Sequence, residues 1–223
     1  MKRTPIDERV LPDYSRNEEL MNMITHIVGG ALGVSVLVFG VLIGAFHRDP
    51  WAIVGAAIFG AAMVWLYVMS SIYHGLRPSR GKKVMQVLDH CTIYALIAGT
   101  YTPILLAGVR PDHPGLAWTV FGCEWGFAAL AATLTAIDLK KYKVFSMICY
   151  IAMGWFIVIA LKPTVEAMTL HGFFWLLGGG VAYTAGAVLY AMGKTRPYFH
   201  SVFHIFVVLG SLLQSIAILR YVL

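Results

Sequence analysis

Apolar residues fill this chain in long runs separated by short polar breaks. The runs lie at Leu20–Phe46, Trp51–His74, Val84–Val109, Leu116–Ile137, Val144–Leu161, Leu170–Met192 and Phe199–Val222. Each is long enough to cross the roughly 30 Å hydrocarbon layer of a bilayer as a helix. The pattern predicts an all-α, seven-transmembrane helix bundle with its termini on opposite sides. The breaks carry turn and charge signals, as in His47-Arg48-Asp49-Pro50, Arg77-Pro78-Ser79-Arg80, Arg110-Pro111-Asp112-His113-Pro114 and Lys194-Thr195-Arg196-Pro197. They are too short to hold a soluble domain, so residues 20–223 read as one membrane domain behind a short tail of residues 1–19, with an amphipathic lead-in to the first span as the alternative for part of that tail. That tail mixes both charge signs and lacks the basic start, short apolar core and small-residue cleavage site of a secretory signal.

Composition agrees with a membrane protein: 59% of the 223 residues are hydrophobic and 13% are charged. The net charge of +6 is unevenly placed. Thirteen Lys and Arg residues fall in the tail and in the loops after spans two, four and six, against four in the remaining loops and the C-terminus. By the positive-inside rule the N-terminus is cytoplasmic and the C-terminus outside. The basic balance is then mainly a topology signal with some attraction to anionic headgroups, and no nucleic-acid partner is expected. Cys91, Cys123 and Cys149 all lie within predicted spans without a CxxC pair, which argues for small packing residues and against a disulfide framework.

With that topology, five of the eight histidines fall near one membrane surface. Span two ends there with Ser70-Ser71-Ile72-Tyr73-His74, span three starts with Asp89-His90, span seven starts with His200 and His204, and span one starts with Asn22, Thr25 and His26. Spacing of i, i+4 puts Ser70 with His74, and His200 with His204, on shared helix faces. His74, His200 and His204 would fill three positions of a tetrahedral zinc ion, and a carboxylate-assisted water the fourth. Asp89 would either ligate directly or hold that water, and Ser70 would bond the water or a substrate oxygen. The bland alternatives are a hydrogen-bonded helix-end histidine in each case, and for Ser70 a bond to its own i−4 carbonyl.

Other polar positions receive lesser roles. His90 points about 100° around the helix from Asp89, so it is expected beside the site or at the interface. Glu19, Asn22, Thr25 and His26 form one stripe, leaving His26 to orient the site, close a loop, cap a helix or anchor at the interface. His47, His113 and His171 belong to the opposite loops. Glu124, deep in span four, is expected to be protonated, paired or facing a water-filled cavity. Glycines at 29, 30, 33, 178–180 and 186 permit close helix contact, with no phosphate loop implied.

Four ordered segments carry a family resemblance: Glu19 through His26, Ser70 through His74, Leu88-Asp89-His90 through Thr102-Pro103, and His200-Ser201-Val202-Phe203-His204. They resemble the haemolysin III proteins, the bacterial branch of the progestin and adipoQ receptor family, over nearly the whole chain from about Glu19. The resemblance implies seven helices with an inward N-terminus in a bacterial inner membrane, and Zn2+ held near the cytoplasmic leaflet by His74, His200 and His204. It further implies a water oriented by Asp89 and Ser70. Similarity of the wider superfamily to alkaline ceramidases implies hydrolysis of a lipid amide. Gln214 departs from the family, standing where many relatives are expected to carry histidine.

Three functions follow as expectations. The leading one is a zinc-dependent hydrolase of a lipid amide or ester, serving membrane lipid homeostasis, with a membrane lipid as substrate. The second is a non-catalytic, zinc-stabilised receptor or regulator. The third, a membrane-lytic haemolysin, finds no strongly amphipathic secreted segment to support it. No feature identifies a protein partner.

Overall fold

Ser15 starts the first helix. Its hydroxyl accepts the Glu18 amide at 3.3 Å, and the Glu18 carboxylate accepts the Ser15 amide at 2.9 Å, closing a capping box in the run Ser15-Arg16-Asn17-Glu18. The first helix therefore begins at Arg16, four residues before the apolar run, inside the expected tail. The computed structural model describes residues 4–192 and 196–223, which contain helices and no strand. Lys2, Arg3, Lys194 and Thr195, which entered the charge count or the sixth break, lie outside the described residues.

The helices are α1 (Arg16–Phe46), α2 (Pro50–Gly75), α3 (Arg80–Pro103), α4 (Pro114–Ile137), α5 (Lys143–Gly154), α6 (Leu161–Met192) and α7 (Phe199–Tyr221). Asp49 accepts the amides of Trp51 and Ala52 at 2.8 and 3.2 Å, with Pro50 preset for the first turn of α2. Ser79 caps α3 through the Lys82 amide at 3.2 Å.

Two expected spans are not uniform. Span three changes to a π-helical stretch over Ile104–Val109 directly after Pro103, which has no N–H to give to the carbonyl four residues back. Spans five and six share one stretch, Lys143–Met192. It consists of α5, a 3-10 segment at Phe156–Ala160, and α6 with an internal break at Thr169, where φ is 64° and ψ 165°. Among the described residues, six helical stretches are long and apolar enough to cross a membrane, with Lys143–Met192 counted as one of 50 residues.

Packing runs chiefly between α1 and α2, α6 and α7, α2 and α3, and α3 and α4, with α7 closing against α1. Gly33 allows the first of these approaches, since a Cβ there would lie 3.0 Å from the Val64 amide nitrogen and the Met63 side chain. Phe59, Met63, Tyr67, Leu105, Met168 and Ile218 fill the interior. Large apolar side chains such as Phe39, Leu130, Ile148 and Phe174 face outward, as a lipid-facing surface requires.

The N-terminal segment is more than a tail. A 3-10 turn at Ile6–Glu8 carries it across the end of the bundle where α2 and α4 finish and α3 and α5 begin. The Thr4 amide and hydroxyl donate to Asp138 at 3.0 and 2.6 Å, Arg9 donates to the Ile137 carbonyl at 3.2 Å, and Lys83 donates to the Asp7 carbonyl at 2.7 Å. Donation from the Thr4 hydroxyl, with backbone amides from Lys141 and Thr4, holds the Asp138 carboxyl down at about 2 against an ordinary 3.8.

Candidate metal centre

The last turn of α2 and the first turns of α7 bring His74, His200 and His204 together. One ring nitrogen from each lies within 4.8 Å of the others, and among the described residues this is the group able to hold a metal ion. The Nε2 atoms of His200 and His204 are 3.1 Å apart, as expected for imidazoles one turn apart on the same face. All three rings are buried.

His74 is aimed from α1. Its Nδ1 lies 2.6 Å from Glu19 Oε2 and 3.4 Å from Asn22 Nδ2. A carboxylate accepting the Nδ1–H fixes the tautomer that leaves Nε2 as a free lone pair, and Nε2 has no partner among the described residues. The other Glu19 oxygen accepts from Lys82 at 2.6 Å, and Lys82 also donates to the Leu76 carbonyl at 3.0 Å. Lys82 is 3% exposed, so its charge is neutralised inside the protein. An orphaned nitrogen beside two convergent imidazoles, backed by a carboxylate, fits an imidazole-accepting divalent metal such as zinc.

A cavity of about 480 Å³ opens from this cluster into the bundle. Ser70 and Asp89 line it with His200 and His204, and Leu66, Leu96, Ile97 and Val207 give it apolar walls. Gln214 lines it too, ten residues beyond His204 and so about 15 Å further along α7. Its side chain fills the space a Cβ on Gly179 would need. The Ser70 hydroxyl is buried and has no hydrogen-bond partner among the described residues, so the alternative i−4 bond is absent there. Ser71 makes that bond instead, to the Tyr67 carbonyl at 2.7 Å.

Residues 14–215 match the family described as Haemolysin-III related. The chain belongs to the haemolysin III family. It is similar to Hemolysin-3 of Bacillus cereus, 36% identical over 206 residues that cover 92% of each chain. It is also similar to the Hemolysin-3 homolog of Bacillus subtilis, 34% identical over 208 residues covering 93% of this chain and 96% of that one. The wider resemblance reaches the Monocyte to macrophage differentiation factor of Homo sapiens, 26% identical over 230 residues, 98% of this chain and 90% of that protein. Together with the long apolar helices, this makes the haemolysin III chain a multi-pass membrane protein.

Within this haemolysin III bundle the minor polar residues separate. His26 is 4% exposed, stacked on His204 with ring centroids 3.8 Å apart and edge-on to Tyr67, so it neither caps a helix nor anchors at an interface. Burial among rings, with both its nitrogens unpartnered, overturns those two alternatives. His90 bonds the Gln86 carbonyl at 2.8 Å and approaches the Tyr190 hydroxyl at 3.5 Å, beside the site as expected. Glu124 is fully buried with both oxygens unpartnered, and it does not line the cavity.

Three residues near the site were not singled out by sequence reasoning. Glu19 was placed on the His26 stripe, yet it faces His74. Lys82 was counted only as a loop charge. Tyr14, which stacks on His200 with centroids 4.7 Å apart and planes 16° from parallel, lay in the presumed tail. Burial raises its phenol above the ordinary range. The i, i+3, i+7 spacing of Glu19, Asn22 and His26 was the one signal that pointed to any of them.

Proposed function

We propose that this haemolysin III protein is a zinc-dependent intramembrane hydrolase of a lipid amide or ester that serves membrane lipid homeostasis. The observation that carries the reading is a set of three buried imidazoles, two of which, His200 and His204, line a largely apolar cavity. Zinc bound there would supply Lewis acidity toward the substrate carbonyl and raise the nucleophilicity of water near neutral pH. The chain supplies the rest. Glu19 orients His74. The unpartnered Ser70 hydroxyl donates to the carbonyl oxygen of the substrate. Asp89 accepts the proton of the attacking water and returns it to the departing amine or alkoxide as the C–N or C–O bond breaks. The apolar cavity walls receive the acyl chain.

The topology proposed with this reading has seven crossings of a bacterial inner membrane, a cytoplasmic N-terminus and an outer C-terminus. In its support, the chain leaves the histidine end at Lys143, passes Glu166 beside His113, and is back at Tyr190 beside His90. Labelling each terminus from either side of sealed vesicles tests it; two termini on one side would overturn it.

The decisive assay compares hydrolysis of lipid amides and esters by purified wild type and Asp89→Asn, with metal content measured in parallel. Turnover is expected to fall by about 10²–10⁴-fold while the metal stays bound. Turnover unchanged in both Asp89→Asn and Ser70→Ala would overturn the mechanism. The second reading, a zinc-stabilised regulator without turnover, is favoured by the Glu19, Lys82 and His74 network, which already pins α1, α2 and α3 together. Bound zinc with no hydrolysis of any acylated lipid would select it.

A further inference from the structure

The N-terminal strap carries a charge that no carboxylate among the described residues neutralises by contact. Arg9 is 7% exposed, and among the described residues its one hydrogen bond runs from Nη2 to the Ile137 carbonyl. Its Nε and Nη1 atoms are buried and unpartnered. Among the described residues no carboxylate makes an ion pair with it. Asp138, the acid whose charge it feels, already accepts Thr4 through Oδ2 and the Lys141 amide through Oδ1. A buried guanidinium with two idle donors is costly, because it has given up water without gaining a partner.

Its position points to what the partner is. Arg9 lines the strap end of the same cavity that His200 and His204 line. Lys140 and Lys143, both exposed, stand on that lining, against the single exposed carboxylate Glu8. Asp89 is the other acid of the cavity and sits with Ser70 on the histidine side in the proposed mechanism. The mouth is therefore cationic and the interior apolar, a gradient that matches an acylated molecule with an anionic head. Guanidinium presents paired donors that suit phosphate and carboxylate oxygens.

We propose that Arg9, with Lys140 and Lys143 at the rim, binds the phosphate or carboxylate of an anionic lipid headgroup at the strap end of the cavity. This deepens the hydrolase reading by assigning the substrate class, and rests on it for the lipid character of the cavity. Binding, rather than turnover, is the readout, so a negative result here leaves the Asp89 assay to decide catalysis on its own.

Full-length protein in neutral detergent is mixed with equimolar dioctanoyl phosphatidylglycerol and dioctanoyl phosphatidylcholine, and bound lipid is read by native mass spectrometry. The anionic lipid is expected to win by about tenfold, and Arg9→Gln to bring the two within about twofold while metal content stays at the wild-type level. Should Arg9→Gln fail to fold, the Lys140→Gln/Lys143→Gln variant removes only exposed charges and is expected to weaken the preference. Equal binding of the two lipids by wild type, or an undiminished preference in both variants, would overturn the proposal. Inorganic phosphate at millimolar concentration is expected not to displace the anionic lipid; displacement would show a free-phosphate site and overturn the lipid assignment.

Discussion

Each end of this bundle holds histidines, and the two sets differ in what surrounds them. At the far end His47 bonds the Leu223 carbonyl at 2.7 Å, His113 lies 3.6 Å from Glu166, and both rings, like His171, are exposed. At the strap end His74, His200 and His204 are buried and converge on one point, and His74 Nε2 and His204 Nδ1 have no partner among the described residues. Residue type is the same in both places. What separates a candidate site from surface polarity is desolvation without satisfaction, since a buried donor or acceptor left idle costs more than its partner-free exposure to water.

The sharpest way to break the comparison is to remove one histidine from each end. His204→Ala is expected to purify without its metal, whereas His47→Ala keeps it, with metal content by mass spectrometry as the measurement; equal content in the two would sink the site. A smaller effect is expected from Glu19→Gln, which keeps the shape but weakens the acceptor that aims His74. Metal affinity by chelator competition should drop about 10–100-fold.

Next comes the strap. Asp138 has its carboxyl lowered by the Thr4 hydroxyl, so its contribution to docking is present above 3.8 and is lost as pH falls through about 2. The Thr4 amide resonance should titrate with a midpoint near 2 and lose that titration in Asp138→Asn; a midpoint at the ordinary carboxylate value would mean an undocked strap. Smallest of all, His113→Ala removes an exposed pair and should change thermal stability by less than about 0.5 kcal/mol.

Much of the fold was legible because a bilayer leaves the backbone few choices. A run of about 20 apolar residues must satisfy its own hydrogen bonds, so α1, α2, α4 and α7 follow the hydropathy pattern to within a few residues. The pattern failed where hydrophobicity does not determine backbone geometry. Pro103 leads into a π-helical stretch, and the fifth and sixth runs are divided by a 3-10 segment and by Thr169 in positive φ, inside residues that are apolar on both sides. The start of α1 was missed for the opposite reason, since a capping box extends a helix with polar residues.

The candidate site divides in the same way. Helical periodicity alone determined that His200 and His204 share a face and that Ser70 lies over His74, because 3.6 residues per turn is a local property. Depth in the membrane, inferred from span lengths and loop charges, put His74, Asp89 and the α7 pair at one level. Only tertiary structure decided which of those groups meet. It turned Glu19 of α1 toward His74 of α2, buried Lys82 behind it, stacked His26 on His204, and folded a supposed tail over the cavity with Tyr14 against His200. Those contacts depend on how helices rotate and approach, which is set by interdigitation of side chains far apart in the chain and leaves no periodic trace along it.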